Sequence, residues 1–259
     1  RLLPYYLSTQ GPKLAKGDVN GDQLVDIYIT GSKGEAGELW LQTPNGTFNF
    51  SLQTDFQMYT QREEVDAVFI DIDNDGDLDL YTVAGSTENT AEDLVDHIYL
   101  NEGGNFRRML IDQIDEVSRR MGSLVLSGDF DLDGNHDLFV GTRNHADGYP
   151  LSDKSFFLMN RGDGAFDIMM HDLGTITDGK LADIDMNGHQ DLVLVKEWGE
   201  VQVIFNHGKG FSELDSYELP ESNGLWSAVN VGDFNNDGLL DIVAGNFGLN
   251  NQFEDQLFM

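Results

Sequence analysis

The residues in this chain best suited to chemistry are aspartates, and they come in sets. The phrases DVNGDQLVD from Asp18, DIDNDGDLD from Asp71, DFDLDGNHD from Asp129, DIDMNGHQD from Asp183 and DFNNDGLLD from Asp233 repeat one pattern five times. Each puts side-chain oxygens at positions 1, 3, 5 and 9 of a nine-residue loop. The sets are Asp18, Asn20, Asp22 and Asp26; Asp71, Asp73, Asp75 and Asp79; Asp129, Asp131, Asp133 and Asp137; Asp183, Asp185, Asn187 and Asp191; and Asp233, Asn235, Asp237 and Asp241. Alternate residues of a tight loop point inward, so positions 1, 3 and 5 converge, and a glycine at position 6 permits the turn that returns position 9. A hard cation that takes about 6 to 8 oxygens suits such a cage, and calcium suits it better than magnesium. The backbone carbonyl of position 7 is the expected further donor, from Leu24, Asp77, Asn135, His189 and Leu239. Up to five calcium ions are therefore expected.

Without a cation, clustered carboxylates repel and some must take up protons. One such cluster could be an acidic turn that merely caps a strand; five at a common spacing argue against that. The first copy departs from the rest, with Gln23 at position 6 and Gly21 two residues early, so a looser loop and a weaker site are expected there. An EF-hand shares the opening of the phrase but needs a bidentate glutamate at position 12. Ile29, Thr82, Val140, Leu194 and Ala244 stand at that position, and none of these side chains is a calcium ligand. His136 and His189 lie inside the loops and are expected to be exposed bystanders, apart from the carbonyl of His189.

The elements that must hold these loops are strands. First aspartates are separated by 53, 58, 54 and 50 residues, a period that signals one supersecondary unit per copy. Before each loop runs a short apolar segment such as VDAVFI, SLVLSG or SAVNVG. After it comes a β-branched or aromatic run: DIYIT, DLYTVAG, DLFVGT, DLVLV or DIVAG. Third segments (ELWLQ, HIYLN, SFFLMN, VQVIFN), glycine-bearing turns and fourth segments opening on Phe (FNFSL, FRRML, FDIMM, FSEL) complete a four-stranded antiparallel meander. Helix is nearly absent, apart from a possible turn in TAEDLVDH. The expected fold is all-β, a β-propeller of four-stranded blades in a single domain over 1–259, with repeats near 14–54, 65–112, 121–172, 178–218 and 225–259. In the fifth repeat QLFM could be a third strand. Two placements of LLPYYLS are open: it supplies the missing strand and closes the ring, or it ends an upstream blade.

Composition narrows the partners. The 259 residues carry 46 Asp plus Glu against 15 Lys plus Arg, for a formal charge of −31. Nucleic acid and anionic membrane surfaces are poor partners on that balance, and neither is expected. Five divalent ions would bring the charge only to −21, so the protein stays acidic when loaded. There is no cysteine, hence no disulfide and no thiolate metal site. No run approaches the ~18 apolar residues of a membrane span, so this chain is not expected to insert. Calcium modules outside cells work at roughly 10⁻⁴ to 10⁻³ M, which would leave such sites empty in cytosol and points to an extracellular, cell-surface or periplasmic location.

The strand, loop and strand phrases, the turns in LYLNEGGNF and FLMNRGDGAF, and the segment DIVAGNFGLN together resemble the FG-GAP or VCBS-type repeats. Their calcium loops also occur in the propeller of integrin α-chains, and similar bacterial repeat proteins carry an ASPIC/UnbV segment. The resemblance covers nearly the whole chain. It implies a propeller, calcium between the first and second strands of each blade, and roles in adhesion, polymer binding or surface assembly, with a protein or polysaccharide at the cell surface as partner. Gln23, Asn187 at position 5 of the fourth copy, and a blade count below the seven typical of integrins depart from the pattern.

Loops between second and third strands emerge on the face opposite the acidic loops and are free to vary. The longest polar one, TRNHADGYPLSDK, offers Arg143, Asn144, His145, Asp147 and Tyr149, a mixture suited to a sugar or peptide, or simply a solvated loop stiffened by Pro150. Trp198 in KEWGE is a candidate stacking platform, whereas Trp40 and Trp226 sit in strand-like runs and are expected in the core. The chain has no G-x-S-x-G, H-E-x-x-H, phosphate-binding glycine loop or cysteine nucleophile. A binding or scaffolding module is the first reading. A calcium-dependent polysaccharide lyase or hydrolase using Arg143 and His145 on that opposite face is the second.

Overall fold

Each acidic phrase is the loop of a β-hairpin. In the computed structural model, which describes residues 11–86, 93–145, 148–211 and 215–247, the aspartate at position 9 opens the second strand in every repeat. It stands directly across from the residue preceding position 1: Gly17↔Asp26, Ile70↔Asp79, Gly128↔Asp137, Ala182↔Asp191 and Gly232↔Asp241. This register follows from the spacing of the phrase, since a nine-residue count returns the chain to the sheet on the same side.

The first sheet runs β1 (Leu14–Gly17), β2 (Asp26–Ile29), β3 (Glu38–Gln42), β4 (Phe48–Ser51) in sequence order. The second has β5 (Glu64–Ile70), β6 (Asp79–Ala84), β7 (His97–Asn101) and β8 (Phe106–Met109), and the third β9 (Gly122–Gly128), β10 (Asp137–Thr142), β11 (Ser155–Asn160) and β12 (Phe166–His171). A fourth meander, β13 (Ile176–Ala182), β14 (Asp191–Gly199), β15 (Gln202–Phe205) and β16 (Asp215–Glu218), continues through β14 into β17 (Gly224–Gly232) and β18 (Asp241–Asn246). All neighbouring strands are antiparallel. The expected all-β class and strand positions agree with this, and β3, β7 and β11 coincide with the expected third segments.

Consecutive sheets meet along their first strands: β1 touches β5, β5 touches β9, β9 touches β13 and β13 touches β17. Two aspartates tie these edges together. Asp66 on β5 accepts a hydrogen bond from the Val125 N–H of β9 at 3.0 Å, and Asp178 on β13 accepts one from Val229 of β17 at 2.8 Å. Apolar cores fill the spaces between sheets, so β6 and β10 are buried along their whole length. Between the third and fourth sheets Phe130, Phe157 and Phe211 form one aromatic group, with Phe211 stacked on Phe157 at 4.9 Å and Phe130 edge-on to Phe211 at 5.2 Å. Phe130 occupies loop position 2, so the acidic loop is bolted to the core through the residue beside its first aspartate. Val19 and Ile72 do the same in the first two loops.

Several expectations need correction. Among the described residues helix occurs as two short linkers between sheets that were not expected, α1 (Thr54–Gln57) and α2 (Asp112–Val117); TAEDLVDH lies partly outside the described residues, and its described part begins with a turn at Asp93 and Leu94. The fourth strand of the fourth repeat begins at Asp215, beyond FSEL, of which Phe211 is the described member and a buried core residue. LLPYYLS and QLFM lie outside the described residues. Trp40 and Trp226 are half-buried rather than core: each indole N–H must reach a polar partner, Glu38 for Trp40 at 2.9 Å and the Ser222 carbonyl for Trp226 at 2.8 Å. In the fifth repeat Phe234, Leu239, Val243 and Phe247 remain exposed, since no described sheet covers that face.

Replacing Phe130 by Ala is expected to cost about 3 to 5 kcal/mol of folding stability, measured from urea unfolding midpoints with calcium present. Phe234→Ala removes the residue at the same loop position from a 53% exposed site and should cost less than about 1 kcal/mol.

Candidate metal centres and the opposite face

The five loops share one backbone conformation. Positions 4 and 6 both take a positive φ in all of them: Asn74 and Gly76, Leu132 and Gly134, Met186 and Gly188, Asn236 and Gly238. In the first loop the glycine has changed places, so Gly21 holds position 4 at 75° and Gln23 holds position 6 at 67°. The looser first loop expected from sequence is therefore not found. Gln23 instead accepts the left-handed backbone at a cost of order 1 kcal/mol.

Inside each loop the side chains are held by backbone N–H donors. The position-1 aspartate takes the N–H groups of positions 5 and 6 in the third, fourth and fifth loops, for example Asp129 from Asp133 and Gly134 at 3.1 Å each. Position 3 accepts from position 5 through Asn20, Asp131, Asp185 and Asn235. Position 5 accepts from position 7 in every loop, through Asp22, Asp75, Asp133, Asn187 and Asp237. Position 9 is the most committed. Its Oδ2 accepts from the N–H of position 2, at 3.1, 2.9, 2.9, 2.8 and 3.0 Å for Asp26, Asp79, Asp137, Asp191 and Asp241. In the first four repeats its Oδ1 accepts, at 2.8 Å, from the residue that ends or follows the third strand: Gln42, Asn101, Asn160 and Asn206.

Those asparagines reach further. The Asn101 amide donates to the carbonyl of Val19 in the preceding sheet's loop at 2.7 Å, and the Asn206 amide donates to the carbonyl of Phe130 at 2.8 Å; Asn160 approaches that of Asp71 at 3.5 Å. Each thus braces the acidic loop of the sheet before it. The turns NEGGN, NRGDG and NHGKG carried this signal in sequence, although only their turn character was legible.

In the second, third and fourth repeats the carboxylates of positions 1, 3 and 9 converge, with one oxygen from each within 4.8 Å of the others: Asp71, Asp73 and Asp79; Asp129, Asp131 and Asp137; Asp183, Asp185 and Asp191. Position 3 is asparagine in the first and fifth loops, so a fully acidic triad cannot form there. In the second loop the Oδ1 atoms of Asp71, Asp73 and Asp77 are buried without a hydrogen-bond partner. Sequence reasoning assigned Asp77 only a carbonyl, whereas its carboxylate is partly buried beside Asp75. Burial pushes Asp79 and Asp137 up to about 7 despite the two N–H donors on each, and neighbouring acids add to the rise. Burial, then Asp75, pushes Asp77 up to about 6. Orphaned acceptors and carboxylates forced toward protonation are what a bound divalent cation would relieve, so these loops fit calcium. His136 is exposed as expected, while His189 is half-buried with its ring against Gly208.

On the opposite face the structure brings Arg143, Tyr149 and Trp198 together around a residue not singled out from sequence, Glu197. Glu197 sits in the continuation of β14, buried, with its Oε2 3.6 Å from the Arg143 guanidinium. Tyr149 donates its hydroxyl to Glu197 Oε1 at 3.1 Å, and the Trp198 indole donates to the Tyr149 hydroxyl at 2.7 Å. Trp198 has a positive φ of 61° and is 53% exposed. Asn144 is buried beneath, accepting from the Thr175 hydroxyl at 2.8 Å. His145 lies exposed at the edge of the group, and Asp147 is outside the described residues. Tyr149, Pro150, Ser152, Thr175 and Trp198 border an open cavity of about 590 Å³.

The profile of the FG-GAP-like repeat matches residues 18–82 and 183–244, two stretches that begin on a position-1 aspartate and end in a second strand. This is an FG-GAP-type repeat protein. No curated protein matches the sequence. Among solved structures, a lectin from Agrocybe aegerita, described as specifically recognising non-reducing terminal N-acetylglucosamine, is similar at 19% identity and a TM-score of 0.50, over 78% of this chain and 50% of the lectin. The Tc holotoxin pore of Photorhabdus luminescens is similar at 19% identity and a TM-score of 0.44, over 90% of this chain and 10% of that one. The FG-GAP-type chain thus spans half of the first and a tenth of the second. The lectin likeness is one of fold.

The raised aspartates set a pH dependence. A folded pKa of about 7 lies above the ordinary carboxylate value of 3.8, so the folded protein keeps protons that the unfolded chain has released. The stability this contributes is complete below the unfolded value and is lost as pH climbs toward 7. In chelator the melting temperature should fall between about pH 5 and about pH 7, and calcium, by holding the ionised carboxylates, should flatten that fall.

Proposed function

We propose that this chain is a calcium-stabilised β-propeller that serves as an extracellular binding module, with a saccharide site on the face opposite the calcium loops. The propeller reading is supported by four-stranded meanders whose first strands touch in sequence order, and by cores that bury both faces of the middle sheets. Asp71, Asp73, Asp77 and Asp79, and their counterparts at positions 1, 3 and 9 of the other loops, would hold the ions. The cation supplies charge neutralisation and cross-links loop to second strand; it has no part in ligand chemistry on the far face.

The observation that carries the binding reading is the linked group Arg143, Glu197, Tyr149 and Trp198 beside its cavity. A buried charge pair orients a tyrosine, the tyrosine fixes an exposed indole, and Ser152 and Thr175 belong to the cavity lining. An oriented aromatic plane suits the C–H face of a pyranose ring, and the surrounding polar groups suit its hydroxyls. A neutral sugar also avoids the repulsion that a chain of formal charge −31 imposes on anions. The lectin of similar fold recognises a sugar, which makes saccharide the first class to test.

Two outcomes are expected. Chelation should lower the melting temperature and added calcium restore it, with about 2.7 kcal/mol per site at an ion concentration of 100 Kd; an unchanged melt in chelator would remove the calcium reading. On a glycan array in calcium the protein should retain a defined subset of sugars. Trp198→Ala should weaken that binding at least tenfold while leaving the melt nearly unchanged, and equal retention by the variant would show that the site lies elsewhere.

A further inference from the structure

A second cavity of about 380 Å³ opens at the junction of the first two sheets, on the same face but remote in sequence from the Tyr149 group. Its charged lining is wholly acidic: Glu35, Glu38, Glu63 and Glu64, with no lysine, arginine or histidine among the lining residues. Glu64 is already satisfied. Its Oε2 accepts from the Tyr28 hydroxyl at 2.6 Å and the Gly31 N–H at 3.0 Å, and its Oε1 from Arg62 at 3.1 Å. Glu63 is different. It is only 8% exposed, its main chain is fixed by the Gly85 N–H on its carbonyl at 3.1 Å, and its carboxylate has no hydrogen-bond or ion-pair partner among the described residues. Its carboxylate faces the cavity with no donor from the described residues, so a donor presented in that cavity would meet a free acceptor there.

The rest of the lining says what that something is. Pro12, Ile29 and Ala36 give the cavity an apolar wall, or collar; Glu35 and Glu38 are exposed, and Glu63 and Glu64 are the buried acids of the lining. A metal ion fits poorly. The acidic loops gather three carboxylate oxygens within 4.8 Å, and the cavity glutamates form no such group among the described residues. The space is also far larger than an ion. An amino sugar carries its ammonium directly on a hydroxylated ring and has no methylene stem for the collar. Lysine and arginine side chains match both parts, an aliphatic stem for the apolar wall and a cationic head with several donors for Glu63.

We propose that this cavity is a recognition pocket for a single arginine or lysine side chain presented by a basic segment of a partner protein, with Glu63 as the anchoring carboxylate. The inference extends the binding-module reading to a protein partner and stands apart from the saccharide site. Arginine is the better occupant, since a carboxylate can accept two parallel N–H bonds from its guanidinium.

The test uses the whole chain with saturating calcium and a fluorescein-labelled glycine–serine peptide bearing one arginine, read by fluorescence polarisation. Replacing that arginine with citrulline, which keeps the shape and removes the charge, should weaken binding at least tenfold. Glu63→Gln should do the same. Glu116→Gln, an equal change of charge at an exposed position on α2, should stay within twofold of the parent. Equal losses for the two glutamine variants would mean diffuse attraction to an acidic protein and overturn the pocket. A calcium count that falls by one in Glu63→Gln would make it a metal site, and displacement of the peptide by glucosamine oligomers would make it an amino-sugar site; either outcome overturns the proposal. Should Glu63→Gln fail to fold, Ala36→Phe fills the collar with all charges kept and must abolish peptide binding. Trp198→Ala must leave it intact, so that loss of the saccharide site and loss of this pocket are read separately.

Discussion

The structure depends on a buried aspartate that is asked to do two things at once. In four repeats the carboxylate at position 9 accepts one N–H from the start of its own loop and another from the residue at the end of the third strand. It thereby joins three strands of one sheet at the point where the loop departs. The same carboxylate faces two other acids, and water cannot compensate it, since Asp26, Asp79, Asp137 and Asp191 are at most 1% exposed. Two N–H donors reduce the penalty and do not remove it, as the rise of Asp79 and Asp137 to about 7 makes plain. A divalent cation, as proposed, would complete the arrangement. On that proposal fold and ion are one device: the hydrogen bonds aim the carboxylate, and the ion would make its charge tolerable.

This constraint accounts for the pattern of variation among the repeats. Position 3 tolerates asparagine in the first and fifth loops because its role there is to offer one oxygen, which an amide also has. Position 9 is aspartate throughout, since only a carboxylate has two equivalent acceptor oxygens for two N–H groups approaching from different strands. The glycine exchange in the first loop follows similar logic. Two positive φ values are demanded, and either position can carry the glycine provided the other residue pays the strain.

How far the sequence revealed this can be judged residue by residue. The strand order and the seating of each acidic phrase between a first and a second strand were legible, because a fixed nine-residue phrase with alternating oxygen donors admits few geometries; convergence was expected of positions 1, 3 and 5, whereas positions 1, 3 and 9 meet in the three middle loops. The grouping of Arg143, Tyr149 and Trp198 was partly legible, as polar insertions on one face must emerge together. Glu197 was hidden: in sequence it is one more acid next to a lysine in KEWGE, and its importance comes from burial against Arg143, a residue 54 positions away. The bracing asparagines were hidden for the same reason, since Asn101 meets Val19 across 82 residues. The environment of Trp40 was misread because strand membership does not tell which face a neighbouring sheet covers. Asp77 escaped because only the backbone carbonyl of position 7 was expected to take part, whereas an aspartate there adds a fifth carboxylate to the loop, with one oxygen buried and unpartnered.

The most direct test of the central claim is a count of calcium ions per chain, by elemental analysis of protein passed through a calcium-buffered gel-filtration column. The account predicts at least three, one for each fully acidic triad, falling by one when Asp73 is replaced by Ala. A protein that emerges folded with fewer than one ion per chain would contradict it, because the buried carboxylates would then be stable with nothing bound between them.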